Sequence, residues 1–369
     1  MIALKRNSKE SLAIDWVRFP LAALIVLIHT PFTDDRSDFA FYLGKAVSEN
    51  LANIAVPTFF FISGYLFFAH YEKFGWNEYR NMLIKKSCTL LLPYIIWNAI
   101  VYLFLMISHL HTDGTFGDIM PWELHKIFWA QNDGYVATSL FGYKFSILCT
   151  PVCGVLWFIR DLMVAMLLSP IIWWIVRKCK LWALILFLIP WVLNIGIPIK
   201  GFGLMALCFF PLGATFSICD KDIFKYIRPG GAIISVIFVI IWGINSFISF
   251  NGNVPRVLNQ LLILTGLVCI LYVSYICTSC RSYRMICKLG EASFFIYVCH
   301  TLFVFYLLHY ILDPLETIPY IGDSLIYVLS FLIKLGICTV GYFILKNLCP
   351  SLLSIAVGGR VNAAKAKNK

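Results

Sequence analysis

The apolar residues of this chain are gathered into blocks of about 20, the length at which a helix crosses the hydrocarbon core of a bilayer. Of the 369 residues, 60% are hydrophobic and 13% are charged, and the mean hydropathy is +0.82. A soluble domain carries about 25% charged residues, so this chain has too few charges to cover a soluble surface. The pattern excludes a soluble globular protein, a disordered chain and a small disulfide scaffold. It predicts an all-α polytopic integral membrane protein.

Polar segments divide the apolar sequence into ten blocks, which predict ten transmembrane helices. The blocks lie near residues 12–31, 51–71, 88–110, 154–176, 181–198, 202–219, 231–249, 257–277, 291–312 and 324–346. The fifth and sixth blocks are separated only by residues 199–201, and a re-entrant pair is the alternative interpretation there. The first block resembles a signal peptide, but Asp15 and Arg18 interrupt it and no small-residue cleavage site follows. We therefore expect it to be retained as the first helix.

The distribution of Lys and Arg predicts the orientation of these helices. With the N-terminus inside, the inner connections and termini hold 21 of the 30 Lys and Arg residues. The outer connections hold Arg36, Lys45, Lys126, Lys144, Lys200 and Arg256. We therefore expect both termini in the cytoplasm, with the chain in the inner (cytoplasmic) membrane of the cell. Residues 1–350 are expected to form the membrane-embedded domain, and residues 351–369 a short, basic and mobile tail.

The net charge of +11 and the 13 cysteines do not point to a nucleic-acid or metal site. The positive charge follows the inner connections, so we expect the bilayer as a partner and no nucleic acid. Most cysteines stand singly in apolar blocks, without zinc-ligand spacing or a disulfide framework, and we expect no metal. Cys149 and Cys153 form the closest pair outside the blocks, and whether they form a disulfide is left open.

The first block carries three ionisable residues, Asp15, Arg18 and His29, which are costly within a membrane. At 100° per residue, Arg18 and His29 share one helix face about 16 Å apart along the axis, and Asp15 can pair with Arg18. Pro20 predicts a kink between them. One interpretation is a structural ion pair with a polar helix end. The other is a catalytic stripe, because an imidazole with a pKa of about 6.5 can accept a proton at physiological pH.

The second block and the segment after it contain two further patterns. Ser63 and Gly64 permit close approach of another helix, and Ser63 can donate a hydrogen bond across it. Arg80, Lys85 and Lys86 then precede the pair Pro93-Tyr94. These basic residues are explained either by anchoring on the inner side or by binding of a phosphorylated ligand.

Later blocks add further candidates. In the fourth block, Arg160 and Asp161 follow Trp157, and adjacent helical residues point about 100° apart, which predicts different partners for the two charges. In the ninth block, Ser293, Tyr297 and His300 share a helix face. Lys334 in the last block has no partner that the sequence identifies.

Together these residues resemble the acyltransferase-3 family of integral membrane acyltransferases. The family pattern Asp-x-x-Arg, followed by ten residues and His, is matched by Asp15, Arg18 and His29. The other matches, in chain order, are residues 60–65, the basic stretch 80–94, the run 156–158, and Gly290, Ser293, Ile296, Tyr297 and His300. They extend from about residue 12 to residue 345. Two departures are Lys85-Lys86, where the family commonly has arginines, and Phe19-Pro20, where small residues are usual.

The resemblance implies transfer of an acyl group, commonly acetyl, from cytoplasmic acetyl-CoA to a hydroxyl of an envelope carbohydrate or lipid-linked glycan. It implies His29, Arg18 and Asp15 as catalytic residues, with His29 as the general base. Residues in supporting roles are Ser63, Trp157, Arg160, Tyr297 and His300, and residues expected at the phosphates of coenzyme A are Arg80, Lys85 and Lys86. An acyl-histidine intermediate is the competing mechanism. The oxyanion stabiliser is left open among Ser63, Tyr297 and His300.

Two other classes of protein share some of these features. A transporter or flippase of a glycan or lipid-linked substrate also holds buried Asp, Arg and His residues along its pathway, and it needs no acyl donor. A non-catalytic membrane scaffold tolerates replacement of His29. The sequence identifies neither the acceptor hydroxyl, nor the acyl chain, nor the oligomeric state.

Overall fold

Helices dominate the part of the chain that the computed structural model describes. It comprises residues 9–32, 39–69, 71–112, 124–131, 135–138, 144–147, 149–197, 199–219, 222–248, 254–302, 308, 311–312, 314–315, 318 and 322–360. The α-helices are α1 Lys9–Ile28, α2 Phe39–Gly44, α3 Ala55–Phe68, α4 Trp76–Lys86, α5 Leu92–Thr112, α6 Leu124–Phe128, α7 Trp157–Leu167, α8 Ser169–Cys179, α9 Trp182–Val192, α10 Leu204–Ile218, α11 Ile223–Phe247, α12 Val254–Cys277, α13 Tyr283–Gly290, α14 Ser293–Cys299, α15 Gly322–Leu348 and α16 Pro350–Ala356.

Shorter elements connect some of these helices. The π-helix Lys45–Leu51 and the 3₁₀ turn Ala52–Ile54 join α2 to α3, and the π-helix Ser87–Leu91 joins α4 to α5. A second 3₁₀ turn, Gly154–Leu156, leads into α7. Between α6 and α7, the strands β1 Tyr135–Thr138 and β2 Lys144–Ile147 pair antiparallel, with Tyr135 opposite Ile147.

Six helical stretches in the described chain are long and apolar enough to cross a membrane. They are Lys9–Ile28, Phe39–Phe68, Trp76–Ile107, Ile223–Phe247, Val254–Cys277 and Gly322–Leu348. A seventh candidate is the pair Gly154–Leu167 and Ser169–Cys179, bent by 59° at its break. The helices α9 and α10 are shorter. The helical membrane architecture is therefore confirmed, whereas the count of ten spans and the orientation of the termini remain predictions.

Helix α1 continues through Pro20 and ends at Ile28, so that His29 lies in the turn that follows. The backbone N–H of His29 donates to the Val26 carbonyl at 3.2 Å, and that of Thr30 donates to the Leu27 carbonyl at 3.1 Å. These bonds to the third preceding residue tighten the last turn, as is common at helix ends. The sequence treated His29 as a helical position, and it is instead the first residue beyond the helix.

The chain divides into two compact units, of which the first comprises Phe60–Asp220 and Cys349–Lys369. In this unit α3 and α10 approach closely, because a Cβ added to Gly64 would meet the Phe210 carbonyl oxygen and one added to Gly213 would meet that of Phe61. The close approach predicted at Gly64 is thus present. Phe209 and Phe210 are fully buried, and burial of α10 within protein explains its apolar sequence at a length of 15 residues.

The end of the chain also packs into the first unit. The Trp97 indole Nε1 donates to the carbonyl of Ala356, the last residue of α16, at 2.9 Å. Gly358 has a φ of +66°, and a Cβ there would meet the Thr89 carbonyl oxygen. The expectation that residues 351–369 form a mobile tail is therefore wrong for 351–360, and residues 361–369 lie outside the described part.

The second unit comprises Ile2–Phe59 and Lys221–Leu348. Here α1 packs against α12, α13, α14 and α15. Leu27 of α1, Ala52 and Tyr327 of α15 form one buried cluster. A polar network lies nearby in the sequence, where the Asn50 amide nitrogen donates to the Ser246 hydroxyl at 3.0 Å. This packing surrounds α1, which carries the ionisable residues of the first block.

Candidate active site

His29 and His300 come together beyond the C-terminal end of α1. Their ring centroids lie 5.1 Å apart and the ring planes are tilted by 47°. His29 is exposed, whereas His300, the residue after α14, is fully buried. The sequence placed each histidine in a motif but did not identify them as neighbours.

The hydrogen bonds of His300 determine which of its ring nitrogens carries the proton. Nδ1 lies 2.9 Å from the Tyr297 carbonyl oxygen and 3.1 Å from that of Ile296. Because a carbonyl oxygen only accepts, Nδ1 must be the N–H donor. The neutral ring then has its lone pair on Nε2, which is buried and has no hydrogen-bond partner among the described residues. His300 therefore presents an unused proton acceptor beside His29.

Lys334 on α15 joins this pair. Its side chain is 9% exposed, and its ammonium group donates to the backbone carbonyl of His29 at 3.2 Å. The amine acts electrostatically on both imidazoles. Within the described residues no carboxylate pairs with Lys334. The sequence singled out this lysine without a partner, and the structure supplies a main-chain acceptor.

Two hydroxyl side chains, one from another element and one from the residue after the turn, fix the end of α1. The Ser48 hydroxyl, in the π-helix Lys45–Leu51, donates to the Leu27 carbonyl at 2.6 Å and lies 2.8 Å from the Tyr327 hydroxyl. The Thr30 hydroxyl donates to the Val26 carbonyl at 2.9 Å. These hydroxyl groups give a second hydrogen bond to carbonyls that already accept the backbone N–H groups of His29 and Thr30. The backbone that carries His29 is therefore held on both sides of the helix end.

Asp15 and Arg18 form the predicted ion pair one turn apart on α1, with Arg18 Nη1 3.0 Å from Asp15 Oδ1. Their side chains are 27% and 41% exposed, so the pair is partly exposed. Gly290 lies against this turn, since a Cβ there would stand 3.2 Å from the Asp15 carbonyl oxygen. In the neighbouring helix α13, burial, the Cys287 thiol and the Asp15 charge raise the pKa of Tyr283, which keeps the phenol protonated.

Two other residues of the ninth block lie on α14. Ser293 is buried, and its hydroxyl has no hydrogen-bond partner among the described residues. Tyr297 is also buried, and its backbone carbonyl accepts the hydrogen bond from His300 Nδ1. The ring of Tyr297 packs near Phe294 at 6.2 Å. The third residue predicted to share this face, His300, contacts His29.

The remaining site candidates belong to the first unit. The Trp157 ring packs at 6.5 Å from Phe60, and the Phe158 ring at 4.5 Å from Phe60, so the aromatic run of α7 contacts the aromatic segment of α3. Ser63 on α3 is half-buried. These contacts give Trp157 a packing role, and any part that Trp157 or Ser63 takes in chemistry stays a prediction.

Arg160 and Asp161 pair with one another, which contradicts the expectation of different partners. Arg160 donates from Nε at 3.0 Å and from Nη2 at 2.8 Å to the same oxygen, Asp161 Oδ1. The long Arg160 side chain bends back to its neighbour, although the two Cβ atoms diverge. Arg160 is 2% exposed, and its other bonds go to the carbonyls of Trp129 and Cys149. With its donors engaged in this way, Arg160 fastens the segments around residues 129 and 149 to α7.

The basic residues predicted to bind phosphate lie on a helix and not in a loop. Arg80, Lys85 and Lys86 belong to α4, which starts after Gly75, where Glu78 accepts from the Gly75 N–H at 2.9 Å. Lys86 is within electrostatic range of Lys85 and Arg360. Arg80 lies about one and a half turns earlier on the helix. The structure thus brings together Lys85, Lys86 and Arg360, without Arg80.

Sequence reasoning assigned no site role to Arg360 or to Lys334. Arg360 was assigned to a mobile tail, although the helix signals of Pro350 at the start and Gly358 just past the end of α16 are visible in the sequence. The role of Lys334 depends on a long-range contact that no local pattern indicates.

The cysteine pair left open by the sequence is not a disulfide in the structure, since Cys149 and Cys153 are both free and buried. In the described part of the chain, no three His, Cys, Asp or Glu side chains are grouped to hold a metal ion.

Comparisons with known proteins agree with the motif pattern. A family model described as an acyltransferase domain matches residues 11–343. The succinoglycan biosynthesis protein ExoH of Rhizobium meliloti (strain 1021) is 26% identical over 377 aligned positions, which cover 97% of this chain and 95% of ExoH. No solved structure matches the chain.

Proposed function

The chain belongs to the acyltransferase-3 family of integral membrane acyltransferases, and on that premise we propose that it moves an acetyl group from acetyl-CoA to a saccharide hydroxyl. The acceptor is an envelope glycan or a lipid-linked saccharide. The name of ExoH assigns that protein to succinoglycan biosynthesis, and this supports a saccharide acceptor here. Membrane acyl transfer itself follows from the family.

The observation that carries this proposal is the contact between His29 and His300, at 5.1 Å between ring centroids. His29 is exposed, so an acceptor can reach its ring, while His300 Nε2 offers a second acceptor of hydrogen bonds beside it. In the reaction, His29 takes the proton of the saccharide hydroxyl as its oxygen attacks the thioester carbonyl carbon. A positioned base of this kind contributes about 10²–10⁴-fold to a rate. His300 orients the hydroxyl toward His29.

The donor is held by cationic side chains at the cytoplasmic surface. Lys85 and Lys86, with Arg360 beside them, bind the phosphates of coenzyme A, and Arg80 contributes to attraction of the donor. The partly exposed pair of Asp15 and Arg18 contributes to donor binding or to the packing of α1 against Gly290. No resident metal is required by these roles.

The arrangement in the membrane completes the proposal. Residues 1–350 form the acyltransferase domain with ten spans in the inner membrane, and residues 351–369 form a basic cytoplasmic segment whose first part is α16. The excess of Lys and Arg on one set of connections supports this orientation. It gives the donor phosphates a cytoplasmic site and leaves the C-terminal end of α1 on the outer side.

The test is an acyl-transfer assay with purified protein in detergent. Acetyl-CoA with a labelled acetyl group is supplied together with lipid-linked saccharides extracted from cells that make this protein. Two quantities are measured separately, the label in the saccharide and the amount of free coenzyme A. We expect label in the saccharide and release of one coenzyme A for each acetyl group transferred or hydrolysed. A protein that binds these lipids but consumes no acetyl-CoA is a transporter or flippase, and the proposal is then wrong. His125→Gln, in the exposed helix α6, serves as the matched histidine control.

A further inference from the structure

Lys334 is buried, and among the described residues its ammonium group has one hydrogen-bond partner. It lies in the apolar helix α15, is 9% exposed, and donates to the His29 backbone carbonyl at 3.2 Å. Of the three N–H donors on its ammonium group, this bond uses one. A charged group at such a position is costly to bury, and in membrane proteins it generally has a functional partner.

In the part of the chain that the structure describes, the groups around Lys334 are all basic or neutral. His29 and His300 lie beside it, and in the described residues no carboxylate faces the three. The neighbouring Cys338 on α15 is a buried free thiol, and Ser48 and Tyr327 contribute hydroxyl groups at the end of α1. As far as the described residues go, the site therefore has a positive charge without a carboxylate partner and a buried lone pair on His300 Nε2.

We propose that Lys334 is a catalytic residue that stabilises the oxyanion of the tetrahedral intermediate in acyl transfer. This inference rests on the proposed function and supplies the oxyanion stabiliser, which the sequence left open among Ser63, Tyr297 and His300. A fixed cation in a water-poor site is the kind of group that favours negative charge developing in a transition state. The bond to the His29 carbonyl places the ammonium next to the backbone of the general base.

The step balances with the groups that the site contains. The hydroxyl oxygen of the acceptor forms a bond to the thioester carbon, the hydroxyl proton passes to His29, and the carbonyl electron pair moves onto oxygen beside Lys334. When the intermediate collapses, the carbon–sulfur bond breaks and the coenzyme A thiolate takes the proton from His29. Lys334 gives up no proton and forms no covalent bond.

A purely structural role predicts a different behaviour. A lysine that donates to a carbonyl at a helix end also acts as a cap, and a neutral donor can take over that function. Lys334→Gln keeps an N–H donor and removes the charge, whereas Lys334→Arg keeps both. Lys334→Met has a similar unbranched shape without donor or charge. Lys346 lies on the same helix as Lys334 and pairs with Glu291, which follows α13, and Lys346→Gln is the matched control.

The experiment measures acetyl-CoA hydrolysis by water and transfer to saccharide for each purified variant, with thermal stability in detergent as the folding check. Because an oxyanion forms with either nucleophile, we expect Lys334→Gln and Lys334→Met to lose about 100-fold or more of kcat in both reactions. The KM for acetyl-CoA should stay unchanged, Lys334→Arg should keep most of the rate, and Lys346→Gln should behave as wild type.

The outcomes separate this inference from the function on which it rests. A folded Lys334→Gln or Lys334→Met protein with near wild-type kcat overturns the role of Lys334 while acyl transfer stands. Loss of stability in Lys334→Met with full activity in Lys334→Gln shows a helix cap and also overturns it. If neither neutral variant folds, a folded Lys334→Arg with no activity overturns it, and one with most of the wild-type rate supports it. A wild-type protein that neither hydrolyses nor transfers from acetyl-CoA contradicts the proposed function and this inference together.

Discussion

The buried ring of His300 is fixed by the carbonyl of Tyr297, at 2.9 Å from Nδ1, and this bond leaves Nε2 as the nitrogen available beside His29. Both histidines occupy the first position after a helix, His29 after α1 and His300 after α14. The backbone N–H of each histidine bonds to a carbonyl of its helix, and the ring of His300 also turns back to the last turn of α14. Two imidazoles meet in this way although they come from opposite ends of the sequence.

The first prediction concerns His300. Asn in its place retains an N–H donor near the position of Nδ1 and removes Nε2. We expect His300→Asn to fold and to lose about 100-fold or more of the transfer rate, because the acceptor hydroxyl is no longer oriented. Transfer assays and thermal stability check this, with His125→Asn as the control. A wild-type rate in folded His300→Asn would show that Nε2 takes no part.

Arg18 gives the second prediction. Because Arg18 and Asp15 are partly exposed, removing one partner should cost at most about 1 kcal/mol of folding free energy, and not the larger penalty of a buried pair. We expect Arg18→Ala to keep its thermal stability while transfer falls, and Arg18→Lys to recover part of the rate. A loss of folded protein in Arg18→Ala that parallels the loss of activity would identify the pair as structural.

The third prediction concerns donor binding. Neutralising Lys85 and Lys86 to Gln should weaken acetyl-CoA binding, and the difference from wild type should shrink at high salt, because screening weakens charge attraction. Arg177→Gln with Lys178→Gln removes the same charge from α8, where the two side chains lie over Trp173 and Trp174. Equal effects of the two double variants on binding, or an effect only on membrane insertion, would identify Lys85 and Lys86 as topological anchors.

Membrane orientation provides the fourth prediction. Cys280 and Cys349 are exposed native thiols that the proposed topology places in the cytoplasm. The substitution Gln131→Cys adds an exposed thiol in the connection that the topology places outside. A membrane-impermeant maleimide should label this introduced thiol in intact spheroplasts and should label Cys280 and Cys349 only after permeabilisation. Labelling of all three thiols from one side would contradict the orientation.

Much of the helical architecture could be predicted from the sequence, because apolar block length and polar breaks depend on local composition. The pairing of Asp15 with Arg18 and the close approach at Gly64 also follow from local spacing, and the structure has both. The boundaries were less predictable. The block starting near residue 88 extends back to Trp76, since a continuous helix carries the basic residues that the sequence assigned to a loop.

The site was predictable as a set of residues but not as an arrangement. His29 and His300 were each identified by motif, yet their contact depends on how α14 packs against α1. Arg160 and Asp161 were expected to have different partners and instead pair with each other. Helix geometry gives the direction of each Cβ atom but not the path of a long side chain. The contact of Lys334 with His29 is likewise a product of packing between distant elements.

The most direct test of the central claim is the rate of acetyl transfer by purified His29→Gln protein, measured beside wild type and His125→Gln. Glutamine is similar in size to histidine and cannot act as a base at neutral pH. We expect a folded protein that still binds acetyl-CoA and transfers about 10²–10⁴-fold more slowly, or not measurably. Transfer by His29→Gln at a near wild-type rate would contradict the assignment of His29 as the general base.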